Sequence, residues 1–367
     1  MKRKIILKIL GVLFILIFII SINNNKKVND YYFMTKIEKN NYYENAINLL
    51  NNMSLEEKVK ELIIARYNED NIKENYGGYI FFENNFKGKS KDEVIDMINK
   101  IQNNKKIKCI TAVDEEGGIV TRISQNRKLS SYTFKSSQEL YNNGGFDAII
   151  NDIYTKSSLL ESLGINLNLA PVIDISTNKD DYIYKRTIGQ NELITGIYAK
   201  EVITASLNTK VTYTLKHFPG YGNNIDTHKE EAIDKRNKDE ILNKDLLPFK
   251  EGIKAGAKMI MVSHNIVSSI DNNNPASLSY NIHSILRKDL NYQNLIITDD
   301  LSMKALDEIE NKCEKAILAG NDLIITKEPK ECINEIINSK QIKKEVLDNI
   351  VLRILLYKFE NNLIIAD

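Results

Sequence analysis

An α/β fold built as a (β/α)8 barrel of the TIM type is what this sequence predicts, and three observations carry the prediction. Apolar, strand-like runs alternate with amphipathic, helix-like segments from residue 54 onward, the pattern of a parallel sheet covered by helices. Polar residues close these runs: Asp114, Asp174, His217, His264 and Asp299 each stand at a run's C-terminal end, and a barrel gathers those ends on one face. The stretch 46–367 has the length that eight such units need. An open, doubly wound sheet is the alternative, but it would collect fewer of these residues at one crevice.

The N-terminal stretch MKRKIILKILGVLFILIFIISI, residues 1–22, is basic at its start and apolar from Ile5 to Ile22 apart from Lys8. A bilayer span takes about 20 apolar residues and a secretion-signal core about 7–15. No small-residue cleavage site follows, only NNNKK. The expectation is therefore an uncleaved single-pass membrane anchor, with a cleaved, secreted form as the alternative. Lys2, Arg3, Lys4 and Lys8 outnumber Lys26 and Lys27 across the run, which sets the N-terminus in the cytoplasm and the body outside the membrane. Residues 23–45 are polar and rich in Asn and read as a tether, with the barrel domain at 46–367.

In SLEEKVKELII, Ser54 and Glu57 have the spacing of a capping box, and Leu55, Val59, Leu62 and Ile63 share one helical face. Seven strand-like runs follow: GYIFF (78–82), CITAVD (109–114), LNLAPVIDI (167–175), VTYTLKH (211–217), KMIMVSH (258–264), NLIITDD (294–300) and DLIIT (322–326). Between them lie amphipathic segments such as KDEVIDMINKIQ, FDAIINDIYTKSSLLESLG and ALDEIENKCEKAILAG, and IVLRILLYKFENNLIIAD reads as a closing helix.

The formal charge is +1 over 367 residues, which argues against nucleic acid as a partner, because phosphate binding takes a basic surface. Cys109, Cys313 and Cys332 are odd in number and show no C-x-x-C spacing. Neither a disulfide framework nor a thiolate zinc site is expected from them. The four histidines are scattered and form no H-E-x-x-H, so no metal is expected, nor any cofactor. The oligomeric state is not legible.

Three stretches carry chemistry. In LIITDDLSM, Asp299 and Asp300 follow four apolar strand residues. Strand neighbours point to opposite faces, so one carboxylate should face the barrel mouth and the other a loop or packing contact, unless the pair only caps the next helix. In AVDEEGGIVTRI, a strand ends in Asp114, two glycines turn the chain and Arg122 follows. A carboxylate and a guanidinium at one mouth can bind sugar hydroxyls, or form a structural salt bridge. The third stretch, KHFPGYGNNIDTHKE, holds two of the four histidines on one irregular loop. Lys216 and His217 end a strand, glycines 220 and 222 turn the chain, and Asp226 stands two residues before His228. An aspartate so placed can hold an imidazole's tautomer and orientation, and the imidazole can exchange a proton near neutrality.

KHFPGYGNNIDTH, NPASLSYNIHSILRKDLNYQNLIITDDLSM, AVDEEGGIVTR, NLAPVIDI and RTIG together resemble glycoside hydrolase family 3, in its β-N-acetylhexosaminidase-like branch, from Ser54 to Thr326. The resemblance implies a single barrel domain and a retaining exo-glycosidase that removes terminal β-linked N-acetylglucosamine through a covalent glycosyl-enzyme. A β-glucosidase, a glycoside phosphorylase and a catalytically impaired glycan-binding protein are the alternatives on the same scaffold. By resemblance Asp299 is the nucleophile, His228 the acid/base and Asp226 its partner. Asp114, Arg122, Arg186, Lys216 and His217 match sugar-binding positions, as His264 does near the site. The chain departs from the family at Tyr221, where histidine is usual, and at Ile119, where arginine is usual. Its loop from His217 to Asp226 is also one residue shorter.

Overall fold

A computed structural model of the chain describes residues 42–103, 105–222, 224, 226, 227 and 232–364. The apolar run 1–22, most of the tether stretch and His228 lie outside these residues. Among the described residues no helix is long and apolar enough to cross a membrane.

Strands β1 (Ile63–Arg66), β2 (Gly78–Phe81), β3 (Ile110–Val113), β4 (Leu167–Asn168), β5 (Thr212–Phe218), β6 (Ile233–Asp234), β7 (Met259–Val262), β8 (Ile266–Val267), β9 (Leu295–Thr298) and β10 (Ile324–Thr326) alternate with helices. Eight of them form one sheet, in the order β10-β1-β2-β3-β4-β5-β7-β9, and every pairing is parallel. A parallel bridge between Ile297 and Leu323 brings the two edges together, and Thr298 N donates to Leu323 O at 3.0 Å. The result is a nearly closed barrel rather than an open sheet. β6 and β8 form a separate two-stranded parallel ribbon.

The barrel strands are buried on both faces, which is why they read as continuous apolar runs rather than alternating ones. Every residue of β2, β3, β7, β9 and β10 is buried. The helices cover them with one apolar stripe each. Helix Lys91–Gln102 buries Val94, Met97, Ile98 and Ile101, spaced by three or four residues. Its start is fixed by a capping box in which Ser90 Oγ accepts from Glu93 N and Ser90 N donates to Glu93 Oε2 at 2.6 Å. The capping box expected at Ser54 and Glu57 opens helix Leu55–Glu61, and the closing helix is Lys344–Glu360.

Four features depart from the expectations. Leu62 and Ile63, read as part of a helical face, leave the helix: it ends at Glu61 and Ile63 begins β1, the eighth barrel strand. The apolar spacing runs unbroken across this boundary, so periodicity does not mark it. Hydrogen bonds do: Leu62 O accepts from Ile324 N at 2.8 Å and so joins the sheet. The run at 167–175 is a strand only at Leu167–Asn168. Pro171 has no N–H to donate, and pairing resumes at the Val172–Lys216 bridge. Residues 42–52 are helical with Ala46 and Leu50 in the core, so the body starts within the stretch assigned to the tether.

The fourth departure is a disulfide, which cysteine count and spacing did not suggest. Cys313 and Cys332 are bonded, with Cα atoms 5.5 Å apart, while Cys109 is a buried free thiol. Cys313 sits on helix Lys312–Ala319 and Cys332 on helix Pro329–Asn338. The helices flank β10, and each buries its cysteine on the face that packs inward. Only the fold brings the two together.

Candidate active site

A cavity of about 290 Å³ opens at the C-terminal ends of the strands, and its lining includes Asp114, Arg122, Arg186, Lys216, His217, Asp226 and Asp299. These are the residues expected to meet there. Ile119, Val120, Tyr182, Tyr221 and Thr227 complete the wall. The volume lies just below the roughly 300–1,000 Å³ usual for ligand pockets.

Lys216 and His217 are consecutive residues near the end of β5, joined by a cis peptide, and both reach the cavity. The pairing register explains this. Leu215 pairs with Ile260 and Phe218 with Val262, so two β5 residues oppose one on β7. Such a bulge re-aims side chains that strict alternation would send to opposite faces.

Below the cavity the charges form a buried chain. Lys216 Nζ binds Asp114 Oδ1 at 2.8 Å and Glu116 Oε1 at 2.6 Å. Arg186 holds Glu116 in a fork, Nε to Oε2 at 3.0 Å and Nη2 to Oε1 at 2.6 Å. Burial alone would raise the Glu116 carboxyl, but Arg186 and Lys216 overturn it and hold the group well below its ordinary 4.5. Burial likewise works against the Lys216 ammonium, and Asp114 and Glu116 raise its pKa in spite of it. Both groups are therefore charged at neutral pH.

His217 Nδ1 lies 2.8 Å from Asp174 Oδ2, and its Nε2 lies 3.3 Å from Arg186 Nη2. A guanidinium only donates, so this network assigns the ring proton to Nδ1 and leaves Nε2 as acceptor. Asp174 also accepts the backbone N–H groups of His217 and Tyr221, at 3.2 and 2.6 Å. The Arg122 guanidinium lies over the Phe82 ring, 6.0 Å from its centroid. Arg122 Nε is buried without a hydrogen-bond partner among the described residues. A buried donor in that state on a cavity wall is suited to a polar ligand.

The aspartate pair divides as strand alternation requires. Asp299 lines the cavity, and its Oδ1 accepts Asp300 N at 2.8 Å. Asp300 is buried away from it, accepting from Arg66 Nε at 2.6 Å and from Ser302 N at 2.8 Å. His264, expected near the site, stands directly behind it. It is fully buried and does not line the cavity; its Nδ1 meets Ser277 Oγ at 2.7 Å and its Nε2 meets Asp300 O at 3.0 Å. It supports the main chain behind the aspartate pair. His228 lies outside the described residues, and Asp226 and Thr227 before it are on the cavity wall.

Sequence reasoning passed over Glu116 and Tyr182, and it placed Asp174 at a strand end without giving it a role. Glu116 stands beside Glu115, and nothing in DEEGG says which faces the site. Glu115 turns away to cap the loop, accepting Arg122 N and Ile123 N at 2.7 and 2.8 Å. Asp174 was visible as a strand-end aspartate, but its partner His217 lies on another strand.

The profile of the glycosyl hydrolase family 3 N terminal domain matches residues 54–356. The chain is 28% identical over 278 residues to a β-hexosaminidase of Nitrosomonas eutropha, covering 74% of this chain and 79% of that protein. It is 31% identical over 257 residues to a β-hexosaminidase of Glaesserella parasuis, covering 68% and 72%. Among solved structures, a glycoside hydrolase family 3 β-N-acetylglucosaminidase from Paenibacillus sp. superimposes with a TM-score of 0.79 at 25% identity. The match covers 86% of this chain and 64% of the longer Paenibacillus chain. With a family profile spanning most of its length and β-hexosaminidases among its relatives, this chain belongs to glycoside hydrolase family 3.

Proposed function

We propose that this protein is a retaining exo-glycosidase that releases terminal β-linked N-acetylglucosamine, with cell-wall fragments as its source of substrate. The observation that carries the reading is the convergence of Asp299, Asp226 and the sugar-binding set Asp114, Arg122, Arg186, Lys216 and His217 on one small cavity. The names of the curated relatives support the choice of sugar.

In the proposed reaction the Asp299 carboxylate attacks the anomeric carbon as the bond to the leaving oxygen breaks, and the His228 imidazolium gives that oxygen its proton. Water then attacks the glycosyl ester, His228 takes the water's proton, and Asp299 departs as carboxylate. Asp114 accepts from, and Lys216 and Arg122 donate to, the sugar hydroxyls. The Asp300 amide orients the Asp299 carboxylate.

The body is proposed to lie outside the cytoplasmic membrane, held by residues 1–22. The Cys313–Cys332 bond supports this, since disulfides persist in oxidising compartments. Full-length protein should stay with membranes through a carbonate wash, and a mature chain starting near residues 23–30 would favour a cleaved signal instead.

Aryl β-glycosides of N-acetylglucosamine, glucose and xylose test the activity. The N-acetylglucosaminide should give the highest kcat/KM; an equal or higher value on the glucoside would sink the sugar assignment. Sugar 1-phosphate released in phosphate buffer would mean a phosphorylase.

A further inference from the structure

Tyr221 stands where the family usually has histidine, and its hydroxyl is bonded to the catalytic loop. It accepts Thr227 N at 2.9 Å and pairs with Thr227 Oγ1 at 3.1 Å. Thr227 is the residue between Asp226 and His228. The other end of Tyr221 is fixed too. Its amide donates to Asp174 at 2.6 Å, and its carbonyl accepts from Asn265 Nδ2 at 3.2 Å. Its ring meets His217 edge-on, 5.7 Å between centroids, and Tyr182 at 5.8 Å. Tyr182 and Asp226 line the same cavity wall. Tyr221 and Thr227 are both buried, and Ala305 N holds the Thr227 carbonyl from the far side at 3.3 Å.

We infer that Tyr221 is a positioning residue for acid/base catalysis, its hydroxyl tying the Asp226–Thr227 segment, and with it the proposed partner of the acid/base, to the His217–Asp174 floor of the cavity. The inference rests on the reading of His228 as acid/base. The hydroxyl replaces water at a buried amide that would otherwise go unpaired. This tie holds Thr227, and Asp226 beside it, against the cavity wall. Proton donation depends on hydrogen-bond reach to the leaving oxygen, whereas nucleophilic attack by Asp299 does not pass through this loop.

Tyr221→Phe keeps the ring and removes only the tie. On a disaccharide, whose leaving oxygen needs a proton, kcat should fall about 10-fold to 100-fold, the loss expected when a buried amide loses its partner. On the 2,4-dinitrophenyl N-acetylglucosaminide, whose phenolate leaves without help, the first-step rate should change less than about 3-fold. KM should change little. Independently, the Thr227 amide should be protected from hydrogen exchange in wild-type protein and exchange faster in the variant. Equal losses on both substrates, no loss on the disaccharide, or an unprotected Thr227 amide in the wild type would each overturn the inference. The wild-type exchange measurement decides even where the variant folds poorly. Wild-type protein inert on every N-acetylglucosaminide would instead remove the functional reading, and the positioning role with it.

Discussion

Glu116 accepts both prongs of the Arg186 guanidinium, at 3.0 and 2.6 Å, while Lys216 Nζ lies 2.6 Å from the same carboxylate. All three side chains are at least about nine-tenths buried. One carboxylate thus sets the position of two cations on the cavity wall.

Removing it leaves two buried cations short of a partner. Glu116→Gln should lower stability by about 3–5 kcal/mol, the usual cost of breaking a buried ion pair from one side. It should also raise KM, as Lys216 and Arg186 lose their fixed positions. Urea denaturation and steady-state kinetics would check both.

The same carboxylate predicts a pH dependence. Its folded pKa lies below the ordinary 4.5, so its contribution is present above about pH 4.5. It is lost as pH falls from there toward the folded value, because the unfolded chain binds the proton first. The urea midpoint of wild-type protein should therefore drop more steeply between pH 5 and pH 3 than that of Glu116→Gln. Parallel slopes would show that Glu116 does not carry this linkage.

The aspartate pair makes a sharp contrast. Asp299→Ala should lose turnover of every glycoside, because no covalent intermediate forms without the nucleophile. Asp300→Ala should keep turnover and lose about 1–2 kcal/mol of stability, since Ser302 N and the partly exposed Arg66 lose their acceptor. The reverse pattern of activities would exchange their roles.

His228→Ala should lose about 10²–10⁴-fold on a disaccharide, the usual range for general acid catalysis. With a 2,4-dinitrophenyl leaving group the first step should be spared and the second blocked, which shows as a burst of phenol. Azide should relieve the block and yield a β-glycosyl azide. Asp226→Ala should be a milder copy of the same defect. Equal impairment on both leaving groups without azide rescue would remove His228 from the acid/base role.

The disulfide is directly countable. Denatured, unreduced protein should show one reactive thiol, Cys109, and three after reduction. Closing a loop between residues 19 apart is worth about 3 kcal/mol in the chain-entropy account. Cys313→Ser should lose about that much, and less once wild-type protein is reduced for comparison.

Local pattern was enough for seven of the eight barrel strands, because a strand buried on both faces must be apolar along its whole length. The eighth, β1, escaped because helix and strand meet at Leu62 with no break in apolar spacing, and only pairing with β2 and β10 separates them. The residues of the cavity wall were legible for a related reason. A barrel gathers its strand ends at one mouth, and Asp114, His217 and Asp299 sit there.

What the chain determined by itself was therefore the class of fold, the loop with its Asp226 and His228 in sequence, and most of the residues that line the cavity. Tertiary structure alone decided that Glu116 rather than Glu115 faces the site, and it supplied Arg66 as the partner of Asp300. It also buried His264 behind the site and joined Cys313 to Cys332. These outcomes depend on partners that lie on other strands and helices, tens to hundreds of residues away for most of them. Spacing along one chain holds no record of which distant donor a carboxylate will meet. The barrel's closure and the bulge at Lys216 and His217 fix those encounters in space.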